Sequence, residues 1–523
     1  MSNYFLNRLL SHFNMNKQDL ASRSKPGSFA DLKRPSSPAF DEVIKQIEEI
    51  KKSGQKVVIY GDYDVDGLTS TAILKTAFDR LKIPCGFFVP NRYREGYGLN
   101  IERVKEFKEK GYDNIITIDN GITALEAIAF AQSLGMQVIV IDHHEALDIL
   151  PKCPIFHQSL SGFIDYNCSA ASLAYFVAST LLGYDDDYLA TLAGIAVFSD
   201  VMPLIDNNLV FAKLALQNIN KYRYSNLLLL CSDKSQLTYD DFSFQIIPAL
   251  NAPGRVSKDV LSTNNACRFL LKDSAFNFEK LASDLIAINS SRKEMVKDVI
   301  SDITKEFSTT HAKAFLVDGL SGLSGLLANR LMSKYKVPIL VLMPDEKGDE
   351  CNYVGSIRSF GQYNADEFIK KERPILLTSG GHKYASGFTV RKIKALQLIT
   401  DFTSFMEKEA FKPSEPEETI DLTMEDLTFE NYAIYESFMP FGQGFPKPEF
   451  SLSVARDDIS FYEGKNTAYV KSPSGNSKVV YFGDISALKN VAADIVTFKG
   501  FLEKETFRGN VTVSLKCQGF SLE

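Results

Sequence analysis

The stretch VVIYGDYDVDG occupies residues 57–67. Its first four residues are β-branched or aromatic with no polar interruption, the pattern of a strand buried on both faces. A glycine and three aspartates, at 62, 64 and 66, follow at once. LTSTAILKTAFDRLK (68–82) then carries apolar residues at helical spacing. Strand, turn and helix in this order predict the first half of a βαβ unit. Moving outward, CGFFVP (85–90), NIITID (114–119) and QVIVID (137–142) read as strands, and IERVKEFKEKG (101–111) and ITALEAIAFAQSLG (122–135) as the helices between them. Apolar strands alternating with amphipathic helices predict an α/β fold with a parallel, doubly wound sheet. Asp62, Asp119 and Asp142 each stand at or just past the carboxyl end of a strand, the edge where open α/β sheets bind ligands.

Three carboxylates spaced by two cannot all be ordinary core, because burying uncompensated charge costs more than a fold can spare. They are predicted to be solvated, paired or bound to a metal. Read as extended chain, this spacing turns alternate carboxylates to one side, and a carboxylate at an exposed strand end is dispensable to the fold. The rival reading is a calcium loop of EF-hand type. That loop needs a Glu at its twelfth position and a flanking helix pair, whereas the twelfth residue from Asp62 is Ile73 and a strand precedes it. IDHHE (141–145) sets two of the chain's six histidines directly behind Asp142. Asp142 can orient an imidazole, and the strand end can present one toward Asp64 and Asp66. His12, His157 and His311 are read instead as ordinary surface or core residues. Asp119 and Asp200, the latter in FSDVMPL, are further candidate ligands at element ends, although singly each reads as a cap or turn residue. A carboxylate-rich set with one or two imidazoles suits Mn2+ or Mg2+ better than structural zinc.

Beyond residue 169 the pattern is mostly helical to about 300, read as a continuation of the first domain. A second, smaller α/β unit begins near 311 with AKAFLVDG. It contains GSIRS (355–359), and it closes with RPILLTSGGHKYASGFTV (373–390), read as a strand, a glycine turn and another extended run. The Gly380-Gly381 pair before His382 lets backbone N–H groups approach an anion, and Arg358 can hold a phosphate through two hydrogen bonds. KPSEPEETIDLTMED (412–426) reads as an exposed linker. Short alternating strands after PFGQGFPKPEF (440–450) predict a small all-β module. The boundaries expected are 1–300, 301–411, a linker over 412–430, and 431–523. Phe461, Tyr462, Tyr469 and Tyr481 of the last module are candidates for base stacking, with barrel core as the plainer alternative.

Composition narrows the class. At 523 residues, 45% hydrophobic and 24% charged, the chain is long enough for about three domains. No uncharged apolar run reaches the roughly 18 residues that span a bilayer, and the opening residues make a poor export signal, so a cytoplasmic protein with no membrane partner is expected. Seven scattered cysteines without a C-x-x-C pair fit a reducing compartment. Lys plus Arg total 58 against 65 Asp plus Glu, a net −7, so a nucleic acid would have to find a local basic groove.

GDYDVDG, the aspartate of TIDNG, IDHHE and FSDVMPL together resemble the four motifs of the DHH phosphoesterase superfamily. Within it, PNRYREGYGLN (90–100), PALNAPGR (248–255) and the N-x-x-R of NSSR (289–292) resemble segments of the bacterial single-strand-specific 5′→3′ DNA exonucleases. GSIRS and GGHKYASG resemble the DHH-associated domain, and PFGQGFPKPEF resembles the lead into an OB-fold. The likeness runs in order over roughly 28–520. It implies a parallel-sheet DHH domain, a smaller α/β DHH-associated domain and an OB-like nucleic-acid-binding module. It also implies a site for two Mn2+ or Mg2+ ions held by Asp64, Asp66, Asp119, His143 and Asp200, with Asp62 a further member and Asp119 bridging. His144 would donate to the scissile phosphate and Asp142 would hold the histidines. Asn251, Arg255, Asn289, Arg292, Ser356, Arg358, Ser359, Gly380, Gly381 and His382 would bind substrate. The partner expected is single-stranded DNA, together with a single-strand-binding protein or a helicase, and the chain is expected to be a monomer. A DHH phosphodiesterase for short oligoribonucleotides or cyclic dinucleotides is the alternative, as is a non-catalytic replication scaffold. Chains of the first kind are generally shorter and lack the β-module, and a scaffold would be expected to have lost carboxylates that are all present here.

Overall fold

The computed structural model describes residues 2–162, 167–232, 235–304, 313–346, 351–361, 363–382, 384–408, 418–462, 467–472, 477–483, 485–489, 493–507 and 510–522. They form two compact units, Gly27–Ser414 and the combination of Met1–Pro26 with Glu415–Glu523.

The larger unit opens on the predicted alternation. Five parallel strands, β1 (Val57–Tyr60), β2 (Cys85–Phe88), β3 (Asn114–Ile118), β4 (Gln137–Asp142) and β5 (Ile155–His157), lie in the order β2-β1-β3-β4-β5. The chain runs outward from β1 to β2 and then crosses back to β3. Successive crossovers therefore leave the sheet in opposite directions at the β1/β3 pair, and a crevice opens there at the carboxyl edge. Every residue of β1 is buried, which is why the strand reads as an unbroken apolar run. The helix Val65–Arg80 is buried on nearly all sides, because it packs between the sheet and the helices Ala170–Leu182 and Asp187–Ser199. The helical region continues through Asp206–Tyr222, Ile247–Val256, Val260–Leu270 and Phe278–Thr304. Its apolar residues share one core with the inner face of the sheet.

Within the same unit, a mixed sheet of β6 (Lys313–Leu316), β7 (Ile339–Pro344), β8 (Asn352–Arg358), β9 (Leu376–His382) and β10 (Ala385–Arg391) has the order β6-β7-β8-β10-β9. Here the expected glycine turn is corrected. Gly380 and Gly381 lie inside β9, paired with Gly387 and Ser386 of β10, so the hairpin turn falls after them. Gly381 has a φ of +141°, a conformation open to glycine that brings β9 close against Ser386.

The smaller unit is a seven-stranded sheet of β11 (Ile420–Leu422), β12 (Phe450–Ala455), β13 (Ser460–Tyr462), β14 (Thr467–Lys471), β15 (Ser477–Phe482), β16 (Ile495–Phe507) and β17 (Asn510–Leu522), in the order β11-β12-β16-β17-β15-β14-β13. Its core includes Phe5, Leu9 and Leu10 from the helix Ser2–His12, and Phe13 stacks on Phe445 at 4.2 Å. Arg23, from the helix Lys17–Ser24, donates Nε to Phe438 O at 2.8 Å and lies over the Phe445 ring at 3.5 Å. Residues 1–26 thus belong with this module and not with the unit of the parallel sheet, which corrects the expected first domain of 1–300. Nothing in their dilute apolar pattern names the surface they cover. Part of the expected linker, 412–417, lies outside the described residues, and Ile420–Leu422 is already a strand paired with β12. Among the stacking candidates, Tyr481 is buried and Phe461 packs against the core, so both take the plainer reading, whereas Tyr462 is 54% exposed. Phe482, which the sequence does not single out, is 57% exposed. Among the described residues, no helix is long and apolar enough to cross a membrane.

Candidate active site

The crevice at the β1/β3 edge gathers the acidic residues. Beyond β1 the chain bends at Tyr63 and Asp64, and Asp64 caps the helix Val65–Arg80 by accepting Gly67 N–H at 3.1 Å. The reading of Asp62, Asp64 and Asp66 as one extended run is therefore corrected, because the third lies in the first helical turn. Gly67 lets that turn pass under the loop, since a Cβ there would stand 2.6 Å from Asp62 O. Asp66 is 1% exposed and accepts the N–H groups of Ala170 (2.7 Å) and Ala171 (2.8 Å). It closes the start of the helix Ala170–Leu182 as well as facing the crevice, so it is not the dispensable surface carboxylate that was expected. Asp119 follows β3 with a φ of +62°, a left-handed conformation that Asp and Asn tolerate better than most residues. Asn120 fixes that bend, donating Nδ2 to Tyr60 O, Gly61 O and Ile118 O at 2.9–3.2 Å. Sequence reasoning passed over Asn120, whose signal was an amide side chain directly after a strand-end aspartate.

At the end of β4, Asp142 is fully buried. Its Oδ1 accepts His143 N–H (2.8 Å), His144 N–H (3.2 Å) and His144 Nδ1–H (2.9 Å), and its Oδ2 accepts Ile122 N–H (3.0 Å). This set holds His144 with Nε2 directed away from Asp142. His143 Nε2 lies 3.1 Å from Asp119, 3.5 Å from Asp66 and 3.7 Å from Asp200, so one ring nitrogen sits among three carboxylates. Asp200 ends the helix Asp187–Ser199, with its side chain 32% exposed. His157 takes its plain reading: its Nε2 meets His144 O at 2.8 Å and its Nδ1 meets Ser159. His311 lies outside the described residues.

The electrostatics separate these groups. Burial, then repulsion from Asp64, pushes Asp66 up to about 7. Asp62 and Asp119 are also held well above the carboxylate range, by burial first and neighbouring carboxylates second, and so is Asp200. Burial works on Asp142 in the same direction, but its bonds with His144 and Ile122 outweigh it and bring Asp142 down to about 2. Burial and the neighbouring His144 drop His143 to about 3, leaving a neutral imidazole. Burial works against charge on His144 too, yet the Asp142 hydrogen bond prevails and raises it to about 9. Three donor groups, Asp119/His143/His144, Asp66/His143/Asp200 and Asp62/Asp64/Asp119, each keep their ligand atoms within 4.8 Å of one another. Asp62 Oδ1 is buried and has no hydrogen-bond partner among the described residues. Mutually repelling buried carboxylates with an unsatisfied oxygen fit divalent cations, and oxygen-rich donors with one or two imidazoles fit Mn2+ or Mg2+.

Cations gather in the same unit. Burial first, and then Arg92, lowers Arg255 to about 10; Arg292 and Arg358 add to that repulsion while Asp64 opposes it. Arg92 was not singled out, although the segment holding it was; its guanidinium lies 4.3 Å over the Tyr63 ring. Asn289 Oδ1 accepts Arg292 Nε–H at 3.0 Å, and the hydroxyls of Ser356 and Ser324 meet at 3.0 Å. Gly325 leaves room for Arg358, whose Nη2 lies 2.9 Å from where a Cβ would be. Three expected substrate contacts are used internally. Asn251 Oδ1 accepts Val65 N–H at 3.1 Å, Ser359 is 7% exposed with its N–H on Tyr384 O, and Gly381 packs against Ser386. The His382 side chain lies outside the described residues. Its backbone stands in one row with Ala385 and Arg358 across β9, β10 and β8.

A metal-fitting acidic centre at the switch point of a parallel sheet, with a basic cluster nearby, is the build of a phosphoesterase. The DHH family, N-terminal domain, matches residues 56–197, and the DHHA1 domain matches 318–409. The chain belongs to the DHH superfamily. A RecJ OB domain matches 420–519, and with it the chain takes its place in the RecJ-like branch. It is 31% identical over 450 residues to the single-stranded-DNA-specific exonuclease RecJ of Bacillus subtilis, covering 82% of this chain and 56% of that protein. RecJ of Haemophilus influenzae is 26% identical over 452 residues, covering 78% of this chain and 77% of its own. The fold matches RecJ of Thermus thermophilus, solved in complex with Mn2+, with a TM-score of 0.82 at 22% identity over 99% of this chain and 76% of that one. The match thus spans little more than half the length of the Bacillus relative.

Proposed function

We propose that this chain is a metal-dependent exonuclease that hydrolyses phosphodiester bonds of single-stranded DNA in the 5′→3′ direction, serving DNA repair and recombination. One observation carries the reading: a complete set of acidic and histidine donors stands in the same unit as Arg92, Arg255, Arg292 and Arg358, where a phosphate chain needs both. Asp64, Asp66, Asp119, His143 and Asp200 would hold Mn2+ or Mg2+, with Asp62 supplying its free oxygen. Bound cations lower the pKa of an attacking water and offset the charge that builds on the phosphate. The chain's own residues do the rest. Asp142 keeps His144 charged with Nε2–H free to donate to a phosphate oxygen, and the arginines hold neighbouring phosphates. Exposed Tyr462 and Phe482 offer base-stacking surface in a module of nine Lys/Arg against eight Asp/Glu over residues 451–523. A single-strand-binding protein or a helicase is the partner class that delivers such a substrate, and a cytoplasmic monomer suffices for the chemistry.

The test is digestion of single-stranded DNA labelled at the 5′ or the 3′ end, with Mn2+ and with chelator. We expect early release of the 5′ label, none with chelator, and slow loss from duplex or RNA. Release of the 3′ label first, or a preference for short oligoribonucleotides, overturns the reading.

A further inference from the structure

Three consecutive side chains after β2 finish the helix Ile247–Val256. A helix leaves its last carbonyls without partners of its own. Here Arg92 Nε donates to Gly254 O (3.2 Å), Tyr93 Oη donates to Arg255 O, and Asn91 Nδ2 donates to Ser257 O (2.8 Å). Tyr93 is 5% exposed, and its own N–H is held by Asn91 Oδ1 at 2.9 Å. The same helix reaches the acidic motif through Asn251, which takes Val65 N–H next to Asp64. The helix bearing Arg255 is therefore fastened to the metal-fitting loop.

Tyr93 has a second partner. Gly322 N–H donates to the phenol oxygen, and Gly322 lies in the turn Ser321–Leu323 that leads into the helix Ser324–Tyr335. That helix begins at Ser324, whose hydroxyl meets Ser356, two residues before Arg358 on β8. A Cβ at Gly322 would stand 2.6 Å from Tyr93 Oη and press on Arg255 O, so the junction closes only over glycine. One hydroxyl thus joins the end of the Arg255 helix to the first turn of the DHHA1 domain.

We propose that Tyr93 is a positioning residue that sets the spacing between Arg358 on the DHHA1 domain and the acidic centre with its fastened Arg255 helix, and so the bond at which a bound strand is cut. This rests on the function proposed above. Without the hydroxyl, Arg255 O and Gly322 N–H lose a shared, largely buried partner, and the DHHA1 turn that leads to Arg358 slides against the Arg255 helix and the acidic centre.

The test uses the full chain carrying Tyr93→Phe and, separately, Gly322→Ala, both checked for folding by circular dichroism. Two substrates are compared with Mn2+: 5′-labelled single-stranded DNA and bis(p-nitrophenyl) phosphate, which engages the acidic centre without Arg358. We expect turnover of the small diester within about twofold of wild type, and KM for the strand raised about tenfold, the scale of one lost shared hydrogen bond. The lengths of the released products broaden in both variants, a readout that general loosening does not move. Unchanged product lengths and KM in both variants overturn the inference, as does equal loss on both substrates. Wild-type protein that releases nothing from single strands overturns the exonuclease reading instead, a distinct result.

Discussion

Asp119 combines two demands in one residue. Its backbone sits at a φ of +62°, and burial first, then the charges of Asp66, Asp64, Asp62 and Asp200, hold its carboxyl above the carboxylate range. Asparagine meets the first demand and removes the charge. With chelator present, Asp119→Asn is therefore expected to melt at a higher temperature than wild type, because a repelling buried charge is gone. Asp119→Ala, which lacks the local hydrogen bonding that eases the left-handed conformation, should be less stable than Asp119→Asn by about 1 kcal/mol. Both should lose about 10³-fold in exonuclease turnover with Mn2+, the scale of several kcal/mol of cation stabilisation. Thermal unfolding with chelator and single-turnover cleavage check the two halves separately. A lower melting temperature for Asp119→Asn would show that the carboxylate is held by bonds and not strained by repulsion.

At the scale of elements, Asp66 joins two helices. It lies in the first turn of Val65–Arg80 and satisfies two buried N–H groups of Ala170–Leu182. Removing it leaves those donors unpaired in the core, at about 1–3 kcal/mol. Asp200 closes the helix Asp187–Ser199 with a partly open side chain, 3.7 Å from His143 Nε2 and with no side-chain hydrogen bond among the described residues. Urea unfolding with chelator should show Asp66→Ala destabilised by about 1–3 kcal/mol and Asp200→Ala within about 0.5 kcal/mol of wild type. Both should lose cleavage. Equal stabilities would mean that the helix 170–182 finds other caps.

At the scale of the molecule, the N-terminal helices are part of the core of the C-terminal module. Phe5 is fully buried and its ring stacks on Phe450 at 6.3 Å. Phe5→Ala should destabilise that unit by about 3–5 kcal/mol. Hydrogen exchange should then rise in β12 and β16 while β1 and β3 keep their protection, because the two units have separate cores. A chain truncated near residue 425 would strand residues 1–26 without the surface they cover. A chain of residues 27–414 is the cleaner test of whether the β-module governs binding of long strands. It should cleave short oligonucleotides but bind long ones more weakly.

The sequence by itself determined the sheet and the place of its chemistry. An apolar run with no polar break can only be a strand covered on both faces, and carboxylates at such strand ends meet at one edge. For that reason Asp62, Asp119, Asp142, His143 and His144 could be named from local pattern alone. What lay beyond local pattern was decided by packing between distant segments. Whether Asp66 is solvent-facing or capped depends on Ala170 and Ala171, over a hundred residues away. Whether Gly380-Gly381 forms an open anion loop depends on β10 lying against it, and whether residues 1–26 join the first module or the last depends on which apolar surface remains uncovered. The Tyr93 junction is the furthest case, since a phenol, a carbonyl of Arg255 and the N–H of Gly322 meet only when three separate segments are folded. Periodicity reports what one element buries, and only the assembled structure settles which element buries it.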